Sequence, residues 1–134
     1  MYITEIFSSI QGEGKYTGYP TTFVRLFGCN LFEMSPSYAC KYCDEKHSMT
    51  GKRIKMHLGL VMDKIGALGN KYVCITGGEP LMQIDFVTDL FEKAKEKNIH
   101  TCLDTSGVTF RKDNTEKFDR LVKVTDLVML DIKV

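Results

Sequence analysis

TFVRLFGCNLFEMSPSYACKYCDEKH, Thr22 to His47, joins an apolar run to three of the chain's five cysteines. Thr22 to Phe27 has the β-branched and aromatic content of a strand, interrupted only by Arg25. An arginine in such a run either leans to solvent or points into a site and meets a carboxylate. Cys29 follows at once, and Cys40 and Cys43 close the stretch at C-x-x-C spacing. Thiolates are soft ligands suited to iron–sulfur clusters or zinc. A closed structural zinc site takes four donors, and a simple cluster takes four thiolates. Three thiolates therefore predict a metal centre with one open position.

Working outward, the pattern after this stretch alternates. Met56 to Leu68 places Leu58, Val61, Met62, Ile65 and Leu68 at helical spacing, with Gly69 as a stop. Tyr72 to Thr76 predicts a buried parallel strand that runs into Gly77-Gly78-Glu79-Pro80. Ile84 to Asn98 predicts a second helix, with Phe86, Leu90, Phe91 and Ala94 on one face. Thr101 to Gly107 predicts a strand and turn, Thr115 to Val124 a third helix, and Leu127 to Lys133 a last strand. Strands alternating with helices give βαβ units and a parallel sheet, with helices on its outer face. Before the cysteine stretch, Tyr2 to Phe7 reads as a short strand ending at Ser8-Ser9. Ile10 to Pro20 reads as a glycine-rich loop, either a plain connection or a place where the backbone approaches a ligand. Lys52 to Lys55 reads as a solvated connection.

Right-handed crossovers put the strand C-termini on one side. The cysteine loop, Gly77-Gly78-Glu79, Asp104-Thr105-Ser106-Gly107 and Asp131-Ile132-Lys133 then share the edge where α/β sheets bind ligands. Glu79 alone could equally be a helix N-terminal carboxylate, and Met129 simple core packing. Cys74 and Cys102 fall inside apolar strands, where cysteine behaves as a small hydrophobe. Of the three histidines, His47, near Cys43, is the one that could add a metal ligand.

At 134 residues the chain predicts one domain with its own core. A formal charge of +1 gives no sign of a nucleic-acid or membrane partner. The N-terminal residues lack the basic and apolar regions of a signal peptide, and an odd cysteine count favours metal or catalytic use over disulfides. The expected location is the cytoplasm.

These motifs resemble the radical S-adenosylmethionine (SAM) superfamily. From Glu5 to about Gln83, EIFSSIQGEG, GYPTTFVRLFGCNL, CKYCD and ITGGEPLMQ are similar to 7-carboxy-7-deazaguanine synthases, the lyase-type enzymes of queuosine biosynthesis. From about Ile84, IDFVTDLFEKAKEKNIHTCLDTSGVTFR and VTDLVMLDIK resemble pyruvate formate-lyase activating enzymes, which act on a protein glycine, so the chain is chimera-like. The resemblance implies a partial (βα) barrel of about four parallel strands, residues 1–134 being one truncated domain. It implies a 4Fe–4S cluster on Cys29, Cys40 and Cys43, with SAM on the fourth iron and reductive cleavage to a 5′-deoxyadenosyl radical. Tyr42, Asp44, Gly77, Gly78, Glu79, Thr105, Asp131 and Lys133 would bind the cofactor, Glu79 pairing with its amino group. Asp104, Thr105, Met129 and Asp131 would border a monovalent cation. Ile10, Gln11, Gly12, Arg25 and Thr76 would hold a small pterin-like substrate, Arg25 by its carboxylate. A flavodoxin or ferredoxin would donate the electron.

Three features depart from the family pattern. Ten residues separate Cys29 from Cys40, where the superfamily usually has three. Glu45 stands where the synthases have a threonine magnesium ligand, so magnesium would have to bind a longer carboxylate. Both families continue for further strands, and an open apolar edge at the last strand predicts a homodimer. Outside the radical families, zinc held by the cysteines and His47 would make the chain a non-catalytic metal module.

Overall fold

A computed structural model describes residues 1–34 and 40–132. The described residues form one mixed sheet in the order β3-β1-β2-β4-β5-β6. Its strands are β1 (Tyr2–Ile10), β2 (Pro20–Leu26), β3 (Ile54–Lys55), β4 (Tyr72–Gly77), β5 (His100–Thr105) and β6 (Leu127–Leu130). The strands β2, β4, β5 and β6 are parallel, as the alternation predicts, and β1 runs antiparallel to β2. The helices are α1 (Asn30–Met34), α2 (His47–Thr50), α3 (Leu58–Leu68), α4 (Ile84–Glu96) and α5 (Thr115–Lys123). No helix among the described residues is long and apolar enough to cross a membrane.

Period-two alternation gives the sheet two unlike faces. Val24, Leu26, Val73, Ile75 and Leu103 turn outward onto Val61, Met62 and Ile65 of α3, Val87, Leu90 and Phe91 of α4, and Leu121 of α5. Burying a side chain of this size contributes ~1.5–3 kcal/mol each, so this layer carries most of the stability. Helix α3 ends where Gly69 adopts φ 69°, a left-handed geometry that glycine takes without a Cβ penalty. The opposite face carries Arg25, Thr76, Asp104 and Met129, which all border one chamber.

Two expectations need correction. Strand β1 runs on through Ser8-Ser9 to Ile10, because every residue from Glu5 to Ile10 finds a partner between Arg25 and Pro20. Lys52 to Lys55 is not all connection: Ile54–Lys55 pairs with Tyr2 and Ile3 as the outer edge strand. Within β1 a bulge separates the pair Ile3↔Leu26 from Glu5↔Arg25. At the far edge, Val128 and Leu130 of β6 and the following Ile132 are exposed.

The ends of β2 and β4 meet backbone to backbone. A Cβ on Gly78 would overlap the Gly28 carbonyl, and one on Gly77, at φ 85°, would lie 2.7 Å from the Leu26 nitrogen. The Glu79 N–H donates to the Gly28 carbonyl at 2.8 Å, and the Gly28 N–H donates to the Ser48 carbonyl at 3.0 Å. Gln83 ties the same corner to β1, donating to the Tyr2 carbonyl at 3.0 Å and the Phe27 carbonyl at 3.2 Å.

At the other end of β5 and β6, Asp126 accepts from the Thr101 N–H at 2.9 Å and from Lys95 Nζ at 2.6 Å. Burial pushes its carboxyl pKa up, but the Lys95 and Thr101 hydrogen bonds outweigh that and hold it below the ordinary 3.8. Stabilisation from a depressed carboxyl is present above its unfolded pKa and lost as pH falls through the folded value.

Two stability measurements follow from these contacts. Gly78→Ala should lower the urea midpoint by the equivalent of about 1–3 kcal/mol, because nothing softer than backbone can yield. Asp126→Ala should cost about 1–3 kcal/mol through the abandoned Thr101 N–H, little of it from the exposed lysine. The difference between Asp126→Ala and the parent should shrink as pH falls below 3.8.

Candidate cofactor and substrate site

Cys29 stands directly after the Gly28 junction, and its carbonyl caps α1 by accepting from Phe32 and Glu33 N–H at 3.1 and 3.0 Å. Cys40 and Cys43 sit on one turn closed by a Cys43 N–H to Cys40 carbonyl bond of 3.1 Å. All five cysteines are free thiols. The three of the motif border one cavity of about 270 Å³. They also border a second, smaller and apolar hollow with Leu31, Phe32 and Met49. Burial raises the Cys29 pKa, backbone N–H groups of Phe32 and Leu31 pull it back, and the negative charges of Glu79 and Cys40 raise it again. A cationic centre would supply the missing compensation. Three soft donors bordering one cavity with an apolar back wall have the chemistry a thiolate-held cluster needs. No three His, Cys, Asp or Glu side chains among the described residues are placed to share one ion.

The cavity gathers nearly every residue expected to touch the cofactor. Tyr42, Asp44, Gly77, Gly78, Glu79, Thr105 and Asp131 all line it. Lys133 lies outside the described residues. Glu79 is 2% exposed and accepts from the Thr105 hydroxyl, the Leu81 N–H at 3.0 Å, and the Ser106 N–H and hydroxyl at 3.0 and 2.5 Å. It is thus both a cap, for the turn Pro80–Gln83, and a fixed buried carboxylate at the cavity wall. The glycines before it are explained first by the Gly28 and Arg25–Leu26 backbone contacts. Close packing and ligand approach here make the same demand on the sequence.

A second chamber of about 310 Å³ lies along the inner face of the sheet. Ile10, Gln11, Gly12, Arg25 and Thr76, the expected substrate residues, all line it, as do Asp104 and Met129. Asp44, Glu45, Thr76 and Asp104 border both spaces, so the two adjoin. Thr76 donates to Asp104 at 2.8 Å across the strands. Gln11 is buried and held in its loop by bonds of 3.0 Å with Tyr19 and 2.8 Å with Gly18. The loop carrying it shares this chamber with Asp44 and Glu45, which follow Cys43 in the chain. It follows Ile10, which pairs with Pro20, so it closes the N-terminal end of the parallel strands, opposite the cysteine loop.

Arg25 meets carboxylates of the protein itself. Its Nη1 pairs with Glu5 and its Nη2 with Glu45 Oε1 at 2.8 Å. His47 Nε2 lies 3.1 Å from Nη1 and 3.3 Å from Glu45 Oε2. Glu45, expected as a possible magnesium ligand, pairs with Arg25 here, and His47 stands in the same cluster. Glu5 was not singled out from sequence, and Ser106 only as part of the Asp104-Thr105-Ser106-Gly107 turn. Glu5 could have been found had the pairing register been known, because it stands directly across from Arg25. Cys74 and Cys102 are buried register partners on adjacent strands, as core cysteines should be. The hydrogen bond between them, and then burial, raise the Cys74 pKa far above the ordinary thiol range.

Comparison with known proteins agrees with this architecture. A family model described as the Radical SAM superfamily matches residues 26–134. The 7-carboxy-7-deazaguanine synthase of Methanospirillum hungatei is 45% identical over 109 residues, 80% of this chain and 42% of that protein. The synthase of Methanothermobacter thermautotrophicus is 35% identical over 98% of this chain and 49% of its own length. The pyruvate formate-lyase-activating enzyme of Streptococcus mutans is 35% identical over 97% of this chain and 49% of its own. The chain thus spans about half the length of these relatives. The crystal structure of QueE from Escherichia coli superposes with a TM-score of 0.73 at 23% identity, covering 99% of this chain and 60% of that one. That likeness shows a shared fold, of which this chain forms part. Because that family model matches most of the chain, from the end of β2 through β6, the chain belongs to the radical SAM superfamily.

Proposed function

We propose that the chain performs radical SAM chemistry of the 7-carboxy-7-deazaguanine synthase type, the ring contraction of 6-carboxytetrahydropterin. The observation that carries this reading is the junction of two spaces. Cofactor residues and the three thiols surround one, substrate residues line the other, and Asp44, Glu45, Thr76 and Asp104 are common walls. When bound, a 4Fe–4S cluster and SAM supply one-electron chemistry, and the residues around them orient and shield it. Cys29, Cys40 and Cys43 hold the cluster. Glu79, fixed by Thr105, Ser106 and Leu81, presents a negative charge to the SAM amino group beside the Gly77-Gly78 backbone. Thr105 and Asp131 complete the wall with Asp104, while Met129 lines the adjoining chamber; these four are the residues that would border a monovalent cation. A reduced flavodoxin or ferredoxin is the electron source this chemistry calls for.

A second reading, activation of a glycyl-radical protein, draws support from the Streptococcus mutans relative. The zinc reading loses its fourth ligand, because His47 is engaged with Arg25, Glu5 and Glu45.

After anaerobic reconstitution with iron and sulfide, the protein should become brown. Cys29→Ser, Cys40→Ser and Cys43→Ser should each abolish the chromophore, whereas Cys74→Ser and Cys102→Ser should keep it. Stoichiometric zinc and no chromophore would sink both radical readings. The reduced protein should release 5′-deoxyadenosine from SAM, and faster with 6-carboxytetrahydropterin. Acceleration only by a protein carrying an exposed glycine loop, with a glycyl radical in its electron paramagnetic resonance spectrum, would favour the activase.

A further inference from the structure

Arg25 enters its chamber already committed. Its side chain is only 16% exposed, with Glu5 on Nη1, Glu45 on Nη2 and the Phe7 ring 5.1 Å from the guanidinium carbon. The pairing with Glu45 uses one edge of the guanidinium by half. Arg25 Nε is buried without a hydrogen-bond acceptor, and Glu45 Oε2 is buried without a hydrogen-bond donor. A carboxylate that bridged Nε and Nη2 would satisfy both donors in the fork geometry that arginine favours. His47 Nε2 already stands 3.3 Å from that second oxygen without a hydrogen bond to it, so a Glu45 displaced from Arg25 keeps His47 beside it.

The rest of the chamber gives an incoming anion no other cation. Its charged lining among the described residues is Glu13, Asp44, Glu45 and Asp104 against Arg25 alone. We propose that Glu45 is the internal occupant of the carboxylate position on Arg25, and thereby sets how strongly this chamber discriminates between a carboxylated and an uncharged pterin. The inference rests on the substrate class proposed above. A substrate carboxylate binds by exchanging with Glu45, so the affinity reports the difference between two arginine–carboxylate pairs. Glu45 is a specificity-determining residue in this role and takes no part in the reaction.

The test is equilibrium binding of 6-carboxytetrahydropterin and 6-methyltetrahydropterin to the reconstituted full chain. Parent, Glu45→Gln, Glu13→Gln and Arg25→Gln are compared, with iron content and thermal melting recorded for each. Glu45→Gln should tighten the carboxylated pterin by about tenfold, the scale of one charge-assisted contact, and leave the methyl compound unchanged. Arg25→Gln should remove the preference for the carboxylate. Glu13→Gln, which removes the same charge from a chamber residue with no ion pair to Arg25, should not reproduce the gain. Equal tightening by Glu13→Gln would overturn the proposal in favour of a diffuse charge effect, and so would unchanged or weaker binding by Glu45→Gln. If SAM is cleaved but neither pterin binds any variant, the inference falls together with the substrate assignment. If the pterins bind and only the Glu45 effect is missing, the inference falls alone.

Discussion

Where β2 and β4 end side by side, the Gly28 carbonyl receives the Glu79 N–H at 2.8 Å, and Gly78 has no room for a side chain against it. That contact forces the first cysteine and the Gly-Gly-Glu turn to be neighbours. Gly28 is followed directly by Cys29, and Gly78 directly by Glu79, so neither can drift without tearing a buried backbone bond. An abandoned buried N–H costs about 1–3 kcal/mol, enough to keep the two strand ends in step. Ser48, holding the Gly28 N–H, brings the chain after Cys43 back to the same point. The cysteine loop is therefore anchored on both sides of its long excursion.

The sheet separates stability from chemistry by face. Outward residues pack beneath α3, α4 and α5, while the inward ones carry charges and hydroxyls that an apolar layer would not tolerate. Polar groups on the inner face are largely satisfied by one another: Thr76 with Asp104, Glu79 with Thr105 and Ser106, and Arg25 with Glu5 and Glu45. The Thr76–Asp104 and Glu79–Thr105–Ser106 bonds fix those side chains before any ligand arrives, limiting the side-chain entropy lost on binding, whereas the Arg25–Glu45 pair must open for a carboxylate to enter.

Much of this was legible in the sequence because the relevant patterns are local. Alternating strands and helices, a C-x-x-C pair after a strand, and glycines followed by Glu79 each announce themselves within a few residues. Gly69 marked a helix end for the same reason. What was hidden depends on pairing between distant segments. Nothing near Glu5 reveals that it faces Arg25, since that fact lives in the β1–β2 register. The Gln11 loop, read as a connection or a place of ligand approach, gave no local sign of where along the sheet it stands. Antiparallel pairing sends it to the opposite end of the strands. Ile54–Lys55 was read as solvated because two residues beside basic side chains have no periodicity to recognise. Residues 35–39, inside the cysteine loop, lie outside the described structure.

The bulge between Ile3 and Glu5 changes what a single strand can encode. Two residues apart, these side chains would ordinarily point the same way, yet Ile3 is in the core and Glu5 beside Arg25. One extra residue advances the pleat by half a period, so the strand hands over from building material to chemistry midway along its length. Excising Thr4 would restore the uninterrupted phase and leave an incompatible choice, a carboxylate among the aliphatics or an isoleucine beside the guanidinium. The loose alternation at the start of the chain is therefore the trace of a deliberate change of parity, and it ties the foundation of the fold to the electrostatics of its site.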